Sequence, residues 1–256
     1  MSRPSRRALV RAMLSGAAIC ATAAFGAKSN QMSETWLFIG DSHSVRGFGD
    51  GLREALFRAD PGLEARFHQY SVTGSTAANW LTGTLQELKI NCAKKIPGAP
   101  KQVIEGPPPS GFTSLPALFK TLHPTHVIIA LGTNDFFSIA NGIQKSDPET
   151  RERIIDSILG NSRALLDQLG GAKCHWITPP ALRVRSPGQK LQKELERRLV
   201  TALGSRCTPI LSSSIPEPGH PDRPITADQK DGVHFFSEKG KAWGAAAADR
   251  ILKSRD

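Results

Sequence analysis

Three side chains of this chain have the chemistry needed to transfer an acyl group. Ser42 offers a hydroxyl directly after an apolar run, and His234 offers an imidazole near the C-terminal end of the chain. Asp231 precedes His234 by three residues, so one turn of backbone can bring its carboxylate to Nδ1 while Nε2 faces a hydroxyl. A serine hydroxyl needs an adjacent base to become nucleophilic, and a carboxylate orients that base. The residue types therefore predict a Ser-His-Asp triad that works through an acyl-enzyme.

Two further residues could stabilise the negative charge that develops on a carbonyl oxygen during acyl transfer. Gly74 lacks a Cβ, so its backbone N–H can approach a ligand closely. Asn134 follows a second apolar run and donates from a neutral side-chain amide. With the backbone N–H of Ser42, they form a predicted oxyanion hole. Each motif alone would equally fit an ordinary turn, so the prediction depends on the whole set.

The motifs that carry these residues resemble, in type and in order, those of the SGNH (GDSL-type) hydrolase family. The resemblance covers residues 35–252 and consists of Gly40-Asp41-Ser42, Gly74, Gly132-Thr133-Asn134-Asp135 and Asp231-Gly232-Val233-His234. It implies a three-layer α/β/α fold with a flavodoxin-like parallel five-stranded sheet, a catalytic Ser42, His234 and Asp231, and no metal or organic cofactor. His43 stands where the commoner form of the motif has Leu, and this GDSH form is similar to a branch of exported hydrolases.

Apolar runs alternate with helix-like segments, a pattern typical of a parallel sheet covered by helices on both faces. The strand candidates are residues 35–40, 65–72, 126–131, 174–178 and 208–212. The helix candidates are residues 46–59, 114–122, 148–169, 187–203 and 237–253. Ligand sites in such sheets lie beyond the carboxyl ends of the strands. Because Ser42, Gly74 and Asn134 each follow a predicted strand, we expect them to converge.

Two segments interrupt this alternation and are rich in proline. Residues 84–113 and residues 213–230 are predicted to be loop insertions within a single domain that spans residues 33–254. Loops of this length are often functional.

The first thirty residues are typical of an export signal. They combine a start containing Arg3, Arg6, Arg7 and Arg11 with a small, apolar and uncharged stretch. Residues 1–27 are therefore predicted to be a signal peptide, of twin-arginine or plain secretory type, with an uncleaved anchor as the alternative. No later run approaches the roughly 20 apolar residues that span a bilayer. The mature protein is expected in the periplasm or outside the cell, without a stable membrane span.

Export would place the cysteines in an oxidising compartment. Cys174 and Cys207 each begin a predicted strand, and a disulfide could join them if those strands are neighbours. The alternative is two buried free thiols, and Cys92 would in either case lack a partner. No cysteine pair has the spacing of a zinc site.

Charge and composition narrow the class of partner. The formal net charge is +10, but the first thirty residues carry five basic and no acidic side chains. The remaining domain is thus only moderately basic, and no basic helix with interleaved aromatic residues indicates binding to nucleic acid.

The resemblance implies a serine ester hydrolase that acts on short-chain, acetyl esters of carbohydrate or cell-envelope polymers. The alternatives are an O-acyltransferase that uses the same residues, a lipase or thioesterase, and a non-catalytic envelope-binding domain. His43 could contact the substrate. Trp80, which follows Gly74 closely, could stack on a sugar ring or pack in the core.

Overall fold

The apolar runs of the sequence form one continuous sheet. The computed structural model describes residues 34–136, 147–183, 186–235 and 237–254, so the predicted signal peptide lies outside the described residues. The sheet strands are β1 (Trp36–Gly40), β2 (Phe67–Val72), β3 (Cys92–Lys95), β4 (Gln102–Ile104), β5 (His126–Ala130), β6 (Lys173–Ile177) and β7 (Thr208–Ile210). The five predicted strands are confirmed as β1, β2, β5, β6 and β7, each within two residues of its expected ends.

The order of the strands is β4-β3-β2-β1-β5-β6-β7. Five neighbouring strands run parallel, in the order β2-β1-β5-β6-β7. This is the strand order of flavodoxin-like sheets. The predicted fold class is therefore confirmed, but the sheet has seven strands and not five.

The two additional strands lie in the segment that was predicted to be a loop insertion at residues 84–113. Strand β3 pairs antiparallel with β2, and β4 pairs antiparallel with β3. The hairpin covers an edge of β2 that would otherwise expose unpaired backbone groups. Pro97 and Pro100 fall in its turn and Pro107 follows it, so none of them removes a donor from the ladder.

Helices cover both faces of the sheet. They are α1 (Ser42–Val45), α2 (Gly47–Ala59), α3 (Ala77–Thr82), α4 (Leu115–Leu122), α5 (Pro148–Asp167), α6 (Ser186–Leu203) and α7 (Ser237–Lys253). Strand β1 alternates between two cores, with Leu37 and Ile39 in one and Trp36 and Phe38 in the other. This alternation confirms the three-layer arrangement, since both faces of the central strand are buried.

Helices α2 and α7 pack together on one face of the sheet at close range. A Cβ on Gly244 would lie 2.1 Å from the carbonyl oxygen of Phe48, and one on Gly51 would lie 2.1 Å from that of Lys241. Both positions therefore require glycine. This contact fixes where α7 begins and so helps to place the loop that precedes it.

The second predicted loop, residues 213–230, contains a short hairpin. Its strands are β8 (Pro216–Glu217) and β9 (His220–Pro224), and β9 is exposed along its length. The hairpin is anchored at Ile215 and Ile225, whose side chains are both buried. The backbone N–H of Ile225 donates to the carbonyl of Ile215 at 2.8 Å.

A disulfide joins Cys174 in β6 to Cys207, directly before β7, with their Cα atoms 4.5 Å apart. Of the two alternatives left open for these cysteines, a disulfide and two buried free thiols, the structure has the disulfide, and the two strands are neighbours as that alternative required. Cys92 is a buried free thiol, and burial raises its pKa to about 11. Among the described residues, no helix is both long and apolar enough to cross a membrane.

Removing the disulfide should destabilise the domain, because the bridge restricts the unfolded chain across a separation of 33 residues. We expect the double variant Cys174→Ser, Cys207→Ser to lose about 3–4 kcal/mol in its free energy of unfolding. Urea unfolding followed by tryptophan fluorescence measures the loss. Dithiothreitol should lower the wild-type midpoint and leave that of the variant unchanged. Equal midpoints for the two oxidised proteins would contradict the prediction.

Candidate active site

Ser42 begins helix α1 immediately beyond the carboxyl end of β1. The backbone N–H of Asp41 donates to the carbonyl of Ala130 at 3.2 Å, which ties the end of β1 to the end of β5. The carboxylate of Asp41 accepts from the backbone N–H of His43 at 3.1 Å and caps the short helix. A Cβ on Gly40 would lie 2.0 Å from Oγ of Ser44, so only glycine permits α1 to fold back so tightly.

His234 reaches Ser42 across 192 residues of sequence. Its Nε2 lies 2.9 Å from Oγ of Ser42, and its Nδ1 lies 2.7 Å from Oδ2 of Asp231. Both distances are those of hydrogen bonds. The structure therefore brings the hydroxyl, the imidazole and the carboxylate into one line, in the order that the sequence analysis predicted.

Asp231 is held by more than the imidazole. Its Oδ1 accepts the backbone N–H groups of Val233 and His234, each at 2.9 Å. Partial burial opposes ionisation, but these backbone bonds and the bond to the ring outweigh it and lower the pKa of Asp231 to about 2. The carboxylate is consequently ionised throughout the neutral range, as a group that orients an imidazole should be.

The loop that carries His234 is fixed by its own backbone. The N–H groups of Asp228 and Gln229 both donate to the carbonyl of His234, at 3.2 and 3.1 Å. Gly232 has a φ of 72°, which favours glycine, and its carbonyl accepts from the N–H of Arg183 at 2.8 Å. The position of the imidazole thus follows from a closed turn that is joined to the segment following β6.

His43 lies behind His234, with their ring centroids 5.3 Å apart. It also packs edge-on against Trp243 and Phe235, and only 6% of its surface is exposed. Burial, helped by the charge of His234, lowers the pKa of His43 to about 3, so its ring stays neutral. His43 borders the cleft, and its contact with a substrate stays a prediction.

Gly74 and Asn134 follow the strands on either side of β1. Gly74 turns the chain with a φ of 77° after β2, and Asn134 follows β5. The side-chain amide of Asn134 donates to the carbonyl of Ser75 at 3.0 Å, which joins the two loops. That bond occupies one of the two N–H donors of the amide. The sequence prediction that these loops converge therefore has direct structural support, while their role in catalysis stays a prediction.

Ser75 connects the loops that follow β1, β2 and β5. The sequence analysis did not single it out. Its buried hydroxyl donates to the carbonyl of Gly40 at 3.3 Å and accepts from Nε1 of Trp80 at 3.1 Å. Its carbonyl accepts from Asn134. A small polar residue beside a glycine is the only local signal, and it does not reveal which distant groups the hydroxyl will meet.

Two roles were considered for Trp80, stacking on a sugar ring and packing in the core, and the structure supports the second. The indole is fully buried in the core beneath α3, and its N–H is bonded to Ser75. Neither ring face is available to a ligand. Core packing, the alternative considered for this residue, is what the structure shows.

A pair of long side chains holds the carbonyl groups of the α1 turn. Lys101, in the turn between β3 and β4, donates to the carbonyl of Val45 at 2.7 Å and forms an ion pair with Asp50 at 2.5 Å. Gln69, on β2, donates to the carbonyl of Ser44 at 2.8 Å. We call Lys101 and Gln69 the carbonyl clamp. Because a short helix leaves its last carbonyls unbonded, the clamp satisfies groups that would otherwise lie unpaired beneath the turn that carries Ser42.

Solved structures of several esterases match most of the chain. The aryl esterase of M. smegmatis is 18% identical with a TM-score of 0.52, and the match covers 86% of this chain and 99% of that one. The acetylxylan esterase Axe2 of Geobacillus stearothermophilus is 14% identical with a TM-score of 0.53, covering 86% and 94%. A carbohydrate acetylesterase of Sinorhizobium meliloti is 17% identical with a TM-score of 0.51, covering 86% and 99%. This chain has the SGNH hydrolase fold.

At these identities the likeness establishes the SGNH hydrolase fold and leaves the activity to be argued from the site. No protein-family model matches the sequence, and no curated protein sequence does.

The carbonyl clamp should contribute to stability as well as to position. Lys101→Met removes the bond to Val45 and one partner of Asp50, so we expect a loss of about 1–3 kcal/mol in the free energy of unfolding. Urea unfolding measures it. Lys120→Met, which removes the same charge from an exposed position on α4, is the matched control and should change little. Indistinguishable midpoints for the two variants would show that Lys101 does not stabilise the fold through the clamp.

Proposed function

We propose that this protein is a serine ester hydrolase with Ser42 as nucleophile, His234 as general base and Asp231 as the group that orients the base. The observation that carries the proposal is the continuous hydrogen-bonded line from Oγ of Ser42 through the imidazole to the carboxylate, at 2.9 and 2.7 Å. A nucleophile bonded to a base that is itself oriented by a third group is the signature of covalent acyl transfer.

The reaction would run in two steps. In the first, Nε2 of His234 takes the proton of Ser42 as Oγ attacks the ester carbonyl. The imidazolium, stabilised by Asp231, then returns that proton to the departing alcohol, which leaves an acyl-enzyme. In the second, a water molecule gives a proton to Nε2 and attacks the acyl carbon, and the proton returns to Ser42 as the acid leaves.

The oxyanion formed in each step needs donors on the side of the carbonyl away from the base. The backbone N–H groups of Ser42 and Gly74 and the side-chain amide of Asn134 are proposed for this role. The bond between Asn134 and Ser75 supports it, because it fixes the amide beside the Gly74 turn. Donors that are already fixed need no reorganisation when the charge develops.

The proposed substrate is a short-chain, acetyl ester of a carbohydrate. Two of the structural relatives are named as a carbohydrate acetylesterase and an acetylxylan esterase. The open cleft beside Ser42 has a volume of about 270 Å³, and Thr73, Asn91 and Gln229 line it with polar groups. A polar lining suits a hydroxylated alcohol better than a long acyl chain.

We also propose that the protein acts outside the cytoplasm. The basic and then apolar leader of the sequence favours export. The disulfide between Cys174 and Cys207 supports the same location, since such bonds persist in oxidising compartments.

The proposed nucleophile can be tested with a matched pair of serine variants. Ser42→Ala should lower kcat on p-nitrophenyl acetate by roughly 10⁴-fold or more. A fluorophosphonate probe, followed by mass spectrometry, should label Ser42 in the wild type. The control is Ser44→Ala, which removes a fully buried hydroxyl with no hydrogen-bond partner in the described part of the chain and should keep the activity. Wild-type turnover by Ser42→Ala would refute the assignment.

The orienting role of Asp231 gives a separate expectation. Asp231→Asn keeps the shape of the side chain but removes the charge that stabilises the imidazolium, so kcat should fall by roughly 10²–10⁴-fold. The Michaelis constant should change much less, because the carboxylate faces the ring and not the cleft. Circular dichroism should show an intact fold. A variant that loses affinity but not kcat would assign Asp231 to substrate binding instead.

A further inference from the structure

In the described part of the chain, the cleft beside Ser42 is lined by a positively charged side chain without a negatively charged one. Among the described residues that line it, the ionisable side chains are His43, Arg46 and His234. Apart from the two imidazoles, Arg46 is the one ionisable side chain in this set, and the set contains no carboxylate. A cleft that presents a cation without a balancing acid attracts anionic ligands.

Arg46 is exposed at the junction of α1 and α2, four residues after the proposed nucleophile. Among the residues that the structure describes, no carboxylate lies within ion-pair distance of it. The nearest acid along the helix is Asp50, one turn on, but its carboxylate is bonded to Lys101 and to Arg53. The charge of Arg46 is therefore not neutralised by its own helix and faces the cleft.

Neutral groups in the cleft add donors beside this charge. Oδ1 of Asn91 accepts the backbone N–H of Gly106 at 3.2 Å, so the amide of Asn91 is oriented with its oxygen already engaged. The carbonyl of Asn91 accepts the N–H of Thr73 at 3.0 Å, which fixes the loop against the end of β2. The first turn of α2 also begins here, and its N–H groups contribute a partial charge of the same sign as Arg46.

We propose that Arg46 binds a carboxylate on the alcohol part of the ester, so that the cleft prefers acetyl esters of acidic carbohydrates over those of neutral ones. The inference rests on the esterase function proposed above and names its substrate class. A guanidinium presents paired N–H donors that match the two oxygens of a carboxylate. Arg46 acts as a specificity determinant, since it contacts the substrate away from the reacting ester.

Two small esters of the same shape isolate the effect of charge. 4-Acetoxybenzoate carries a carboxylate opposite its acetyl group, and 4-acetoxybenzamide replaces that carboxylate with a neutral amide. The measured quantity is the ratio of kcat/KM for the anionic ester to that for the neutral one. Dividing the ratio of each variant by that of the wild type cancels the intrinsic reactivity of the two esters.

Arg46→Gln should lower this ratio by roughly five- to ten-fold, the range expected for a partly exposed charge-assisted bond. Arg46→Lys should retain part of the preference, because it keeps the charge but not the planar fork. The matched control is Arg58→Gln. Arg58 is exposed in the last turn of the same helix, about 18 Å along the axis, and its removal changes the net charge equally. The ratio should be unchanged in this control.

Acetylated polymers test the same preference on larger substrates. The wild type should release acetate from an acetylated polyuronate faster than from acetylated xylan, and Arg46→Gln should narrow that difference. Added sodium chloride should weaken the preference, because salt screens exposed charges.

The outcomes separate the two proposals. If Arg46→Gln leaves the ratio at the wild-type value, or if Arg58→Gln lowers it equally, the assignment of Arg46 is overturned. The proposed esterase function would still stand. If the wild type hydrolyses neither ester and Ser42 resists the fluorophosphonate probe, the proposed function itself fails.

Discussion

The pairing of β1 with its two parallel neighbours is the constraint on which the whole site depends. Gly40, the last residue of β1, lies opposite Ser71 of β2 and Ala130 of β5. Because the three strands run in the same direction and end at the same level, the loops that follow them begin side by side. A shift of one residue in either pairing would turn every side chain of a strand to the opposite face and separate those loops.

Hydrogen bonds extend this alignment beyond the last residues of the strands. The N–H of Asp41 reaches the carbonyl of Ala130, and the hydroxyl of Ser75 reaches the carbonyl of Gly40. The amide of Asn134 then closes the set through the carbonyl of Ser75. The turn that carries Ser42 is therefore bonded to both flanking loops, and its position is a consequence of the sheet and not of local helix propensity. Helix α1, with four residues, is too short to be stable without such support.

Much of this arrangement could be predicted from the sequence, because its signals are local. Strands buried on both faces appear as continuous apolar runs, and Ser42, Asn134 and the Asp231 motif each stand at a predictable end or turn. The hairpin β3–β4 has no such signal. Strand β3 reads Cys-Ala-Lys-Lys, and its Lys95 is almost fully buried against the ring of Phe57 and near Glu64, so a core position is occupied by a charged residue.

The contacts that were missed share a long separation in sequence. Lys101 reaches Val45 across 56 residues, and Gln69 reaches Ser44 across 25 residues. Nothing in the residues around Lys101 indicates which carbonyl it will meet. Trp80 shows the same limit, since closeness to Gly74 in sequence does not reveal that α3 turns the indole towards the core. Local pattern predicts elements and motif positions, whereas the partners of long side chains depend on how the elements pack.

The pKa values distinguish aspartates that the sequence motifs alone leave equivalent. Three aspartates accompany the motifs, and only Asp231 accepts several hydrogen bonds at a partly exposed position, where its pKa falls to about 2. Burial raises the pKa of Asp41 to about 7 and that of Asp135 to about 6, so both suit structural roles better than the stabilisation of an imidazolium. His43 follows the same principle. Because burial keeps its ring neutral, it can pack against His234 without adding a second positive charge that would oppose the proton transfer proposed from Ser42.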